Sequence, residues 1–413
     1  MVEIISLQNG ATLLLEQIEG FQSASVGFFV QAGSRYETPE QAGISHFVEH
    51  MLFKGTDTRT GADIAREFDC MGGQVNAYTS KEVTCFYAKT LDYHAGQAVE
   101  LLGDMLLHPR LDAGDMNTER GVVLEEIHMV EDSPDDLVVE RLFEAAWGTP
   151  GLGSPILGTK QTVSSFSPED LRAYMGEAYC AGNIVVSVAG RFDRERMVTL
   201  LRGLLEPLPP SPCRREAPSP VFVPGLVTKE KDIEQNHLCY GFAGYGVTDS
   251  RATALSIVSH ILGDGMSSRL FQRLREQLGL VYTVSTFLSS HQGCGMFCLY
   301  SAQQAESEAQ AMEAIGQEVE ALRQKGVTDE ELSRAKELLK TGLVMGFESS
   351  ASRMSFNARE FIRRGFVRSV DELLRAVDRV DHASIGEVVQ ETFAPERRCL
   401  SVVGRLSTGG YPG

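Results

Sequence analysis

Residues 43–56, GISHFVEHMLFKGT, place two histidines and a glutamate in a stretch that is otherwise largely apolar. His46, Glu49 and His50 have the spacing i, i+3, i+4, so on a helix their side chains converge on one face. Two imidazoles one turn apart can bind zinc together, and a neighbouring carboxylate can accept a proton from water on that metal. The order HxxEH is the inverse of the HExxH zinc motif. The spacing therefore predicts a zinc site with Glu49 as general base.

A catalytic zinc site usually has three protein ligands and one open position, so one more ligand must come from elsewhere in the chain. The segment 112–130, DAGDMNTERGVVLEEIHMV, has helical character and contains several candidates. Glu119 and Glu126 are seven residues apart and share a helix face, whereas Glu125 points about 100° away. The candidates in this segment are Glu119, Glu125, Glu126 and His128.

The elements that would position these residues occur twice along the chain. A strand-like segment at 25–33 precedes the histidine-bearing helix, and a strand pair, helices and a strand at 183–192 follow it. The same order of signals recurs from 236–246 to a last strand at 398–406. This pattern predicts an α+β fold with two homologous domains from an internal duplication, each a mainly antiparallel sheet covered by helices. We expect the two domains to form a clam-like chamber.

A proline-rich segment separates the two halves. Residues 206–225, EPLPPSPCRREAPSPVFVPG, are unsuited to a helix or a central strand because proline lacks the backbone N–H and fixes φ. The sequence therefore predicts an N-terminal zinc-binding catalytic domain at 1–205, an extended linker at 206–225, and a homologous C-terminal domain without zinc at 226–413.

The duplication provides an internal control for the zinc hypothesis. Aligning FVEHMLFKG with IVSHILGDG places Glu49 opposite Ser259. The same alignment places His46 opposite Ser256, while a histidine is retained opposite His50. The second helix thus lacks most of the charged set, which indicates that the fold does not require His46 and Glu49.

Composition excludes several classes of partner. The formal net charge is −18, which argues against nucleic acid or an anionic membrane as the main partner. No apolar run reaches the length of a membrane span. The first residues, MVEIISLQNG, resemble neither a secretory signal nor a transit peptide, so we expect a cytoplasmic protein.

Over essentially its whole length the chain resembles the pitrilysin clan of zinc peptidases, especially the branch with the mitochondrial processing peptidase β-subunit and its bacterial single-chain relatives. The motifs that carry this resemblance are HFVEH (46–50), GGQVNAYTSKE (72–82), ERGVVLEEI (119–127), GLGSPILGT (151–159) and SSRLFQRLREQLGLVY (267–282).

The resemblance implies a complete zinc site. In that family the third ligand is a glutamate just over seventy residues past the second histidine, a position held here by Glu126. A second family glutamate, seven residues earlier and assisting the site, corresponds to Glu119. The implied metal ligands are His46, His50 and Glu126, and the implied catalytic residues are Glu49 and Glu119.

The resemblance also implies a set of substrate-binding residues. An arginine and a tyrosine seven residues apart in the C-terminal half, which close over bound substrate in the family, correspond to Arg275 and Tyr282. Asn76 and Ala77 match the family's edge strand, to which a peptide is expected to add as an extra strand. Such main-chain pairing holds a peptide extended with little regard to its side chains.

Together these residues predict a zinc metalloendopeptidase that hydrolyses peptides or unfolded segments. The alternative is a non-catalytic scaffold or partner subunit, because the same family contains structural subunits. The intact zinc set argues against that alternative, since a scaffold has no need to retain it. The chain carries both the zinc set and the Arg–Tyr pair, so the resemblance implies a homodimer rather than a complex with a second kind of subunit.

Overall fold

The computed structural model describes residues 2–211, 220–406 and 411, which form two compact units. Each unit takes most of its residues from one predicted half of the chain and a shorter segment from the other. Part of the predicted linker, residues 212–219, lies outside the described residues. The first unit contains the described residues within 1–128, 154–218 and 345–368, and the second contains those within 129–153, 219–344 and 369–413.

Each unit is built on one sheet. The first sheet has six strands in the order β1-β2-β6-β3-β5-β4, and the second has five in the order β7-β11-β8-β10-β9. In chain order, the strands are β1 (Glu3–Ser6), β2 (Thr12–Gln17), β3 (Ser23–Val30), β4 (Gln74–Thr79), β5 (Thr84–Leu91), β6 (Ile184–Gly190), β7 (Gly225–Glu230), β8 (Asn236–Gly244), β9 (Val281–His291), β10 (Cys294–Gln303) and β11 (Arg398–Gly404).

The two sheets share one topology. Without β1, the first sheet reads β2-β6-β3-β5-β4 and matches the second strand for strand. In both sheets the first of these pairs, β2 with β6 and β7 with β11, is parallel, and the other pairs are antiparallel. The predicted duplication and the α+β class with mainly antiparallel sheets are therefore confirmed. The predicted chamber stays a prediction.

Helices cover both sheets. In chain order, they are α1 (Ile44–Leu52), α2 (Gly61–Cys70), α3 (Ala95–Leu107), α4 (Ala113–Asp132), α5 (Pro134–Trp147), α6 (Lys160–Ser165), α7 (Pro168–Ala178), α8 (Arg194–Leu205), α9 (Ala252–Leu262), a π-helix (Phe271–Gln277), α10 (Glu308–Lys325), α11 (Asp329–Gly346), α12 (Ser350–Arg364), α13 (Val370–Asp378) and α14 (His382–Thr392). Among the described residues, no helix combines the length and apolar character needed to cross a bilayer.

One helix on each sheet comes from the other half of the chain. Helix α12 packs on β3 and β6 of the first sheet, and α5 packs on the corresponding β8 and β11 of the second. Close packing is possible because the strands carry glycine at the contact. A Cβ built on Gly27 would clash with Met354 Sδ, and one on Gly241 would lie 3.1 Å from Leu142 Cδ1. The duplicated halves have thus exchanged equivalent helices, which the order of elements along the chain did not predict.

Candidate metal centre

Helix α1 is fixed at its N-terminus by a buried carboxylate and a close loop contact. Glu37 accepts hydrogen bonds from the backbone N–H groups of Gly43 (2.8 Å) and Ser45 (2.9 Å), donors that the helix itself cannot satisfy. Gly43 has φ +92°, and a Cβ there would lie 2.6 Å from the Leu157 carbonyl oxygen. This position therefore requires glycine, and the first turn of α1 is held against the loop.

The apolar residues of α1 anchor its remaining length. Phe47, Val48, Met51 and Leu52 belong to the core of the first unit. The Ser45 hydroxyl also hydrogen-bonds the Tyr174 hydroxyl at 2.6 Å within this core. Core packing of one side leaves the other side of α1 to its ionisable residues.

The structure brings His46 and His50 together with Glu126 of α4. Nε2 of each histidine lies 3.6 Å from Glu126 Oε2, and one ligand atom from each of the three residues lies within 4.8 Å of the others. Tetrahedral zinc ligands at about 2.0–2.1 Å from the metal lie roughly 3.3 Å from one another. The donor types and separations therefore fit a zinc ion bound through both Nε2 atoms and one carboxylate oxygen.

The environment of His46 favours a neutral ring. The residue is 9% exposed, and burial together with the neighbouring His50 lowers its pKa to about 3. A neutral imidazole is the form that binds a metal. Its Nδ1 has no hydrogen-bond partner among the described residues, so packing rather than a second hydrogen bond orients the ring.

Glu119 supports the site from behind His50. Its Oε2 lies 3.0 Å from His50 Nδ1, which leaves Nε2 directed to Glu126, and its Oε1 lies 2.5 Å from Lys54 Nζ. A carboxylate on the far nitrogen of a ligating histidine fixes the ring's tautomer and orientation. Sequence reasoning missed Lys54, which lies just beyond the C-terminal end of α1, although its spacing of four residues from His50 was a usable signal.

Glu49 projects beside the ligands and is held by the edge strand. Its Oε2 accepts a hydrogen bond from Thr79 Oγ1 at 2.5 Å. Burial raises the pKa of Glu49, while the Thr79 hydrogen bond and the nearby His50 act in the opposite direction. Thr79 was also missed, because its proximity to Glu49 depends on how β4 packs against α1 and not on local spacing.

Asn76 and Ala77 lie on β4, the outermost strand of the first sheet on this side. In the described part of the chain β4 pairs with β5 alone, as expected for an edge strand. The Asn76 side chain accepts a hydrogen bond from the Ala77 N–H at 2.8 Å. A peptide strand that added to β4 and bonded to the Ala77 N–H would have to displace the Asn76 side chain.

The other candidates in the α4 segment lie outside this cluster. Glu125 is exposed and its Oε1 lies 3.8 Å from His128 Nδ1 on the same helix. Of the four candidates, Glu126 is the one grouped with His46 and His50, and Glu119 contacts His50.

The predicted Arg–Tyr pair lies in the second unit, where its two members are adjacent. The Arg275 guanidinium carbon is 5.1 Å from the centre of the Tyr282 ring and 4.8 Å from that of Phe271. These are cation–π distances. Tyr282 is 72% exposed, and Arg275 lies on the π-helix, a type of turn that is common at functional sites. Phe271 is a third member of this cluster that sequence reasoning missed.

Comparisons with known proteins cover nearly the whole chain. The model of the family described as insulinase (peptidase family M16) matches residues 12–160, and that of the peptidase M16 inactive domain matches residues 165–339. The two matches meet at residues 160–165, within the first predicted half of the chain and before β6.

Curated relatives carry names that refer to zinc. The chain is 38% identical over 396 residues to the uncharacterized zinc protease YmxG of Bacillus subtilis, covering 96% of this chain and 97% of that protein. It is 33% identical over 412 residues to an uncharacterized zinc protease of Streptomyces coelicolor, covering 97% of this chain and 89% of that protein.

Solved structures share the fold. A Pseudomonas fluorescens structure described as a peptidase M16 inactive domain has a TM-score of 0.91 at 19% identity and covers 98% of both chains. A Helicobacter pylori protease structure has a TM-score of 0.89 at 20% identity and covers 98% of this chain and 99% of that one. The two family models and the relatives aligned over nearly the whole chain indicate the same family, so the chain belongs to peptidase family M16.

Proposed function

We propose that the chain is a zinc-dependent endopeptidase acting on peptides or unfolded segments. The observation that carries this proposal is the convergence of His46, His50 and Glu126 with Glu49 beside them. Three ligands and an adjacent carboxylate are the parts that metal-assisted peptide hydrolysis requires.

In this proposal Glu49 is the general base. When bound, a zinc ion lowers the pKa of its water to about 7 and polarises the substrate carbonyl. Glu49 takes the proton from the attacking water and then delivers it to the leaving amine. Its raised pKa makes it a better proton acceptor once it is ionised. Thr79 holds its carboxylate in place, and Glu119 holds the ring of His50.

The peptide would add to the open edge of β4, which carries Asn76 and Ala77. Thr79 belongs to this strand and bonds Glu49, so strand and base are already coupled. Arg275 and Tyr282 would contact the substrate from the second unit, as the family resemblance implies. The homodimer rests on that resemblance alone.

A non-catalytic partner subunit is the competing function. The family model described as an inactive domain matches residues 165–339, and this range contains none of the predicted zinc-site residues. The intact set in the first unit favours catalysis.

Cleavage of an internally quenched peptide, with zinc content measured on the same samples, tests the proposal. Wild-type protein should cleave the peptide and lose activity to a chelator. Glu49→Gln should keep its zinc and lose about 10²–10⁴-fold in kcat/KM, which is the contribution expected of a positioned base. Ser259→Ala, at the aligned position of the second unit, is the matched control and should cleave normally. Full activity in Glu49→Gln would refute the mechanism.

A further inference from the structure

The second unit contains an open groove of about 420 Å³ that lies between α10 and the second sheet. Its walls are mainly apolar, and charged residues of both signs, among them Glu313, Glu320 and Arg323 of α10, also line it. The apolar residues that line it include Tyr240, Phe242, Met312, Ile315, Val319 and Phe393. The groove uses none of the residues of the candidate metal centre.

Helix α3 is the counterpart of α10 in the first unit. Each helix directly follows a three-residue 3₁₀ turn after the corresponding strand, β5 or β10. Placing the helix starts together aligns Gly96 with Ala309 and Gly103 with Gly316. Both helices therefore present small residues seven positions apart on one face.

In the first unit helix α8 covers this face. A Cβ built on Gly96 would lie 3.2 Å from Leu200 Cδ1, and one on Gly103 would lie 2.7 Å from Leu204 Cδ1. The two leucines are four residues apart and form one ridge of α8. The small residues of α3 therefore accept a leucine ridge.

In the second unit the corresponding face is open. Gly316 is exposed, and apart from its chain neighbours and the adjacent backbone of α10, no atom of the described residues lies within 4 Å of a Cβ built on it. In the described part of the chain no helix follows β11 as α8 follows β6. Leu406 and Tyr411 pack against the second core, but neither is among the described residues that line the groove.

We propose that this groove binds an amphipathic helix of a separate partner protein, with leucines four residues apart packed over Ala309 and Gly316. The packing of α8 on α3 is the template for this complex. Glu320 is ion-paired with Arg323 at 3.0 Å, whereas Glu313 is exposed at the groove, so the partner helix should carry a basic side chain opposite Glu313. Helix α8 has this character too, since Arg196 Nε lies 3.5 Å from the Cβ position of Gly96.

A labelled peptide with the sequence of residues 193–206, DRERMVTLLRGLLE, is a direct probe of the groove. Fluorescence anisotropy would measure its binding to the full-length chain carrying Glu49→Gln, which prevents cleavage of the probe. We expect saturable binding that falls at least tenfold in Gly316→Leu, because the new side chain fills the groove. This variant should fold, since leucine is the better helix former.

Two matched controls distinguish binding in the groove from nonspecific binding of the probe. Gln310→Leu places the same side chain on an exposed part of α10 that does not line the groove, and it should bind the probe normally. A probe with aspartate in place of Leu200 and Leu204 should not bind. Absence of saturable binding, or equal binding by Gly316→Leu, would overturn the proposal. A dimer of the unliganded chain that Gly316→Leu dissociates would also overturn it, because the occupant would then be a second copy.

Discussion

The helix–edge-strand contact occurs in both units, but only the first unit makes it with a carboxylate. Glu49 of α1 accepts a hydrogen bond from Thr79 of β4. At the corresponding place Ser259 of α9 and Thr286 of β9 bond through their hydroxyls at 3.0 Å, and Thr286 also lies 2.9 Å from the Ser259 carbonyl oxygen. The polar link is thus part of the duplicated architecture, whereas the ionisable group is specific to the first unit.

The retained histidine gives a second comparison. His50 Nδ1 faces Glu119 of another helix, and Lys54 pairs with that glutamate. In the second unit His260 Nδ1 lies 2.7 Å from Asp264, which aligns with Lys54. The acidic Asp264 thus stands where the first unit has the basic Lys54. His260 accordingly pairs with a residue four positions later in the chain, whereas His50 pairs with a residue of another helix. A histidine at this position does not by itself make a metal site.

The largest effect is expected from replacing His46 with serine, the residue found at the aligned position 256 of the second unit. His46→Ser removes one of three ligands, and we expect zinc affinity to fall by well over about 100-fold, more than the loss of an outer partner costs. Competition with a chromophoric chelator measures this affinity. Ser256→Ala is the matched control in α9 and should leave zinc binding unchanged. Wild-type affinity in His46→Ser would place the metal elsewhere.

Loss of the carboxylate behind His50 should have a smaller effect. Glu119→Gln removes the charge that orients His50 and pairs with Lys54, so zinc affinity should fall about 10–100-fold. The same competition titration measures the change. Glu125→Gln, on an exposed side of α4, should bind zinc normally. Equal affinities in the two variants would show that Glu119 has no orienting role.

Removing the threonine hydroxyl from β4 should shift the pH dependence of cleavage. The Thr79 hydrogen bond lowers the pKa of Glu49, so Thr79→Val should raise that pKa further. A base with a higher pKa ionises at higher pH, and the acid limb of the kcat/KM profile should therefore move to higher pH. Thr286→Val should leave this limb in place. An unmoved limb in Thr79→Val would mean that the limb does not report on Glu49.

The smallest effect is expected in the second unit. Ser259→Ala removes one hydroxyl from the buried Ser259–Thr286 pair but leaves the Ser259 carbonyl as a partner for Thr286. The free energy of unfolding should fall by about 1 kcal/mol or less, with zinc content unchanged. Urea denaturation measures the first quantity. A change in zinc content would contradict the separation of roles between the units.

Sequence predicted the parts of the site that depend on local spacing. His46, Glu49 and His50 follow from helix periodicity, and Glu119 and Glu126 share a face of α4 for the same reason. Thr79 could not be predicted this way, because it reaches Glu49 only through the packing of an edge strand on a helix.

At the level of the fold, the order of elements predicted the duplication and the α+β class. It could not predict that α5, from the first half of the chain, covers the second sheet, or that α12, from the second half, covers the first. Periodicity shows that a helix has an apolar face, but it does not show which sheet that face contacts.

Anomalous scattering at the zinc edge from crystals of the zinc-loaded protein tests the central claim most directly. We predict one strong peak per chain, about 2.0–2.2 Å from His46 Nε2, His50 Nε2 and a Glu126 carboxylate oxygen. Glu49→Gln crystals should show the same peak, whereas His46→Ser crystals should lack it. A zinc peak elsewhere in the wild-type chain, with no peak among these three residues, would contradict the account.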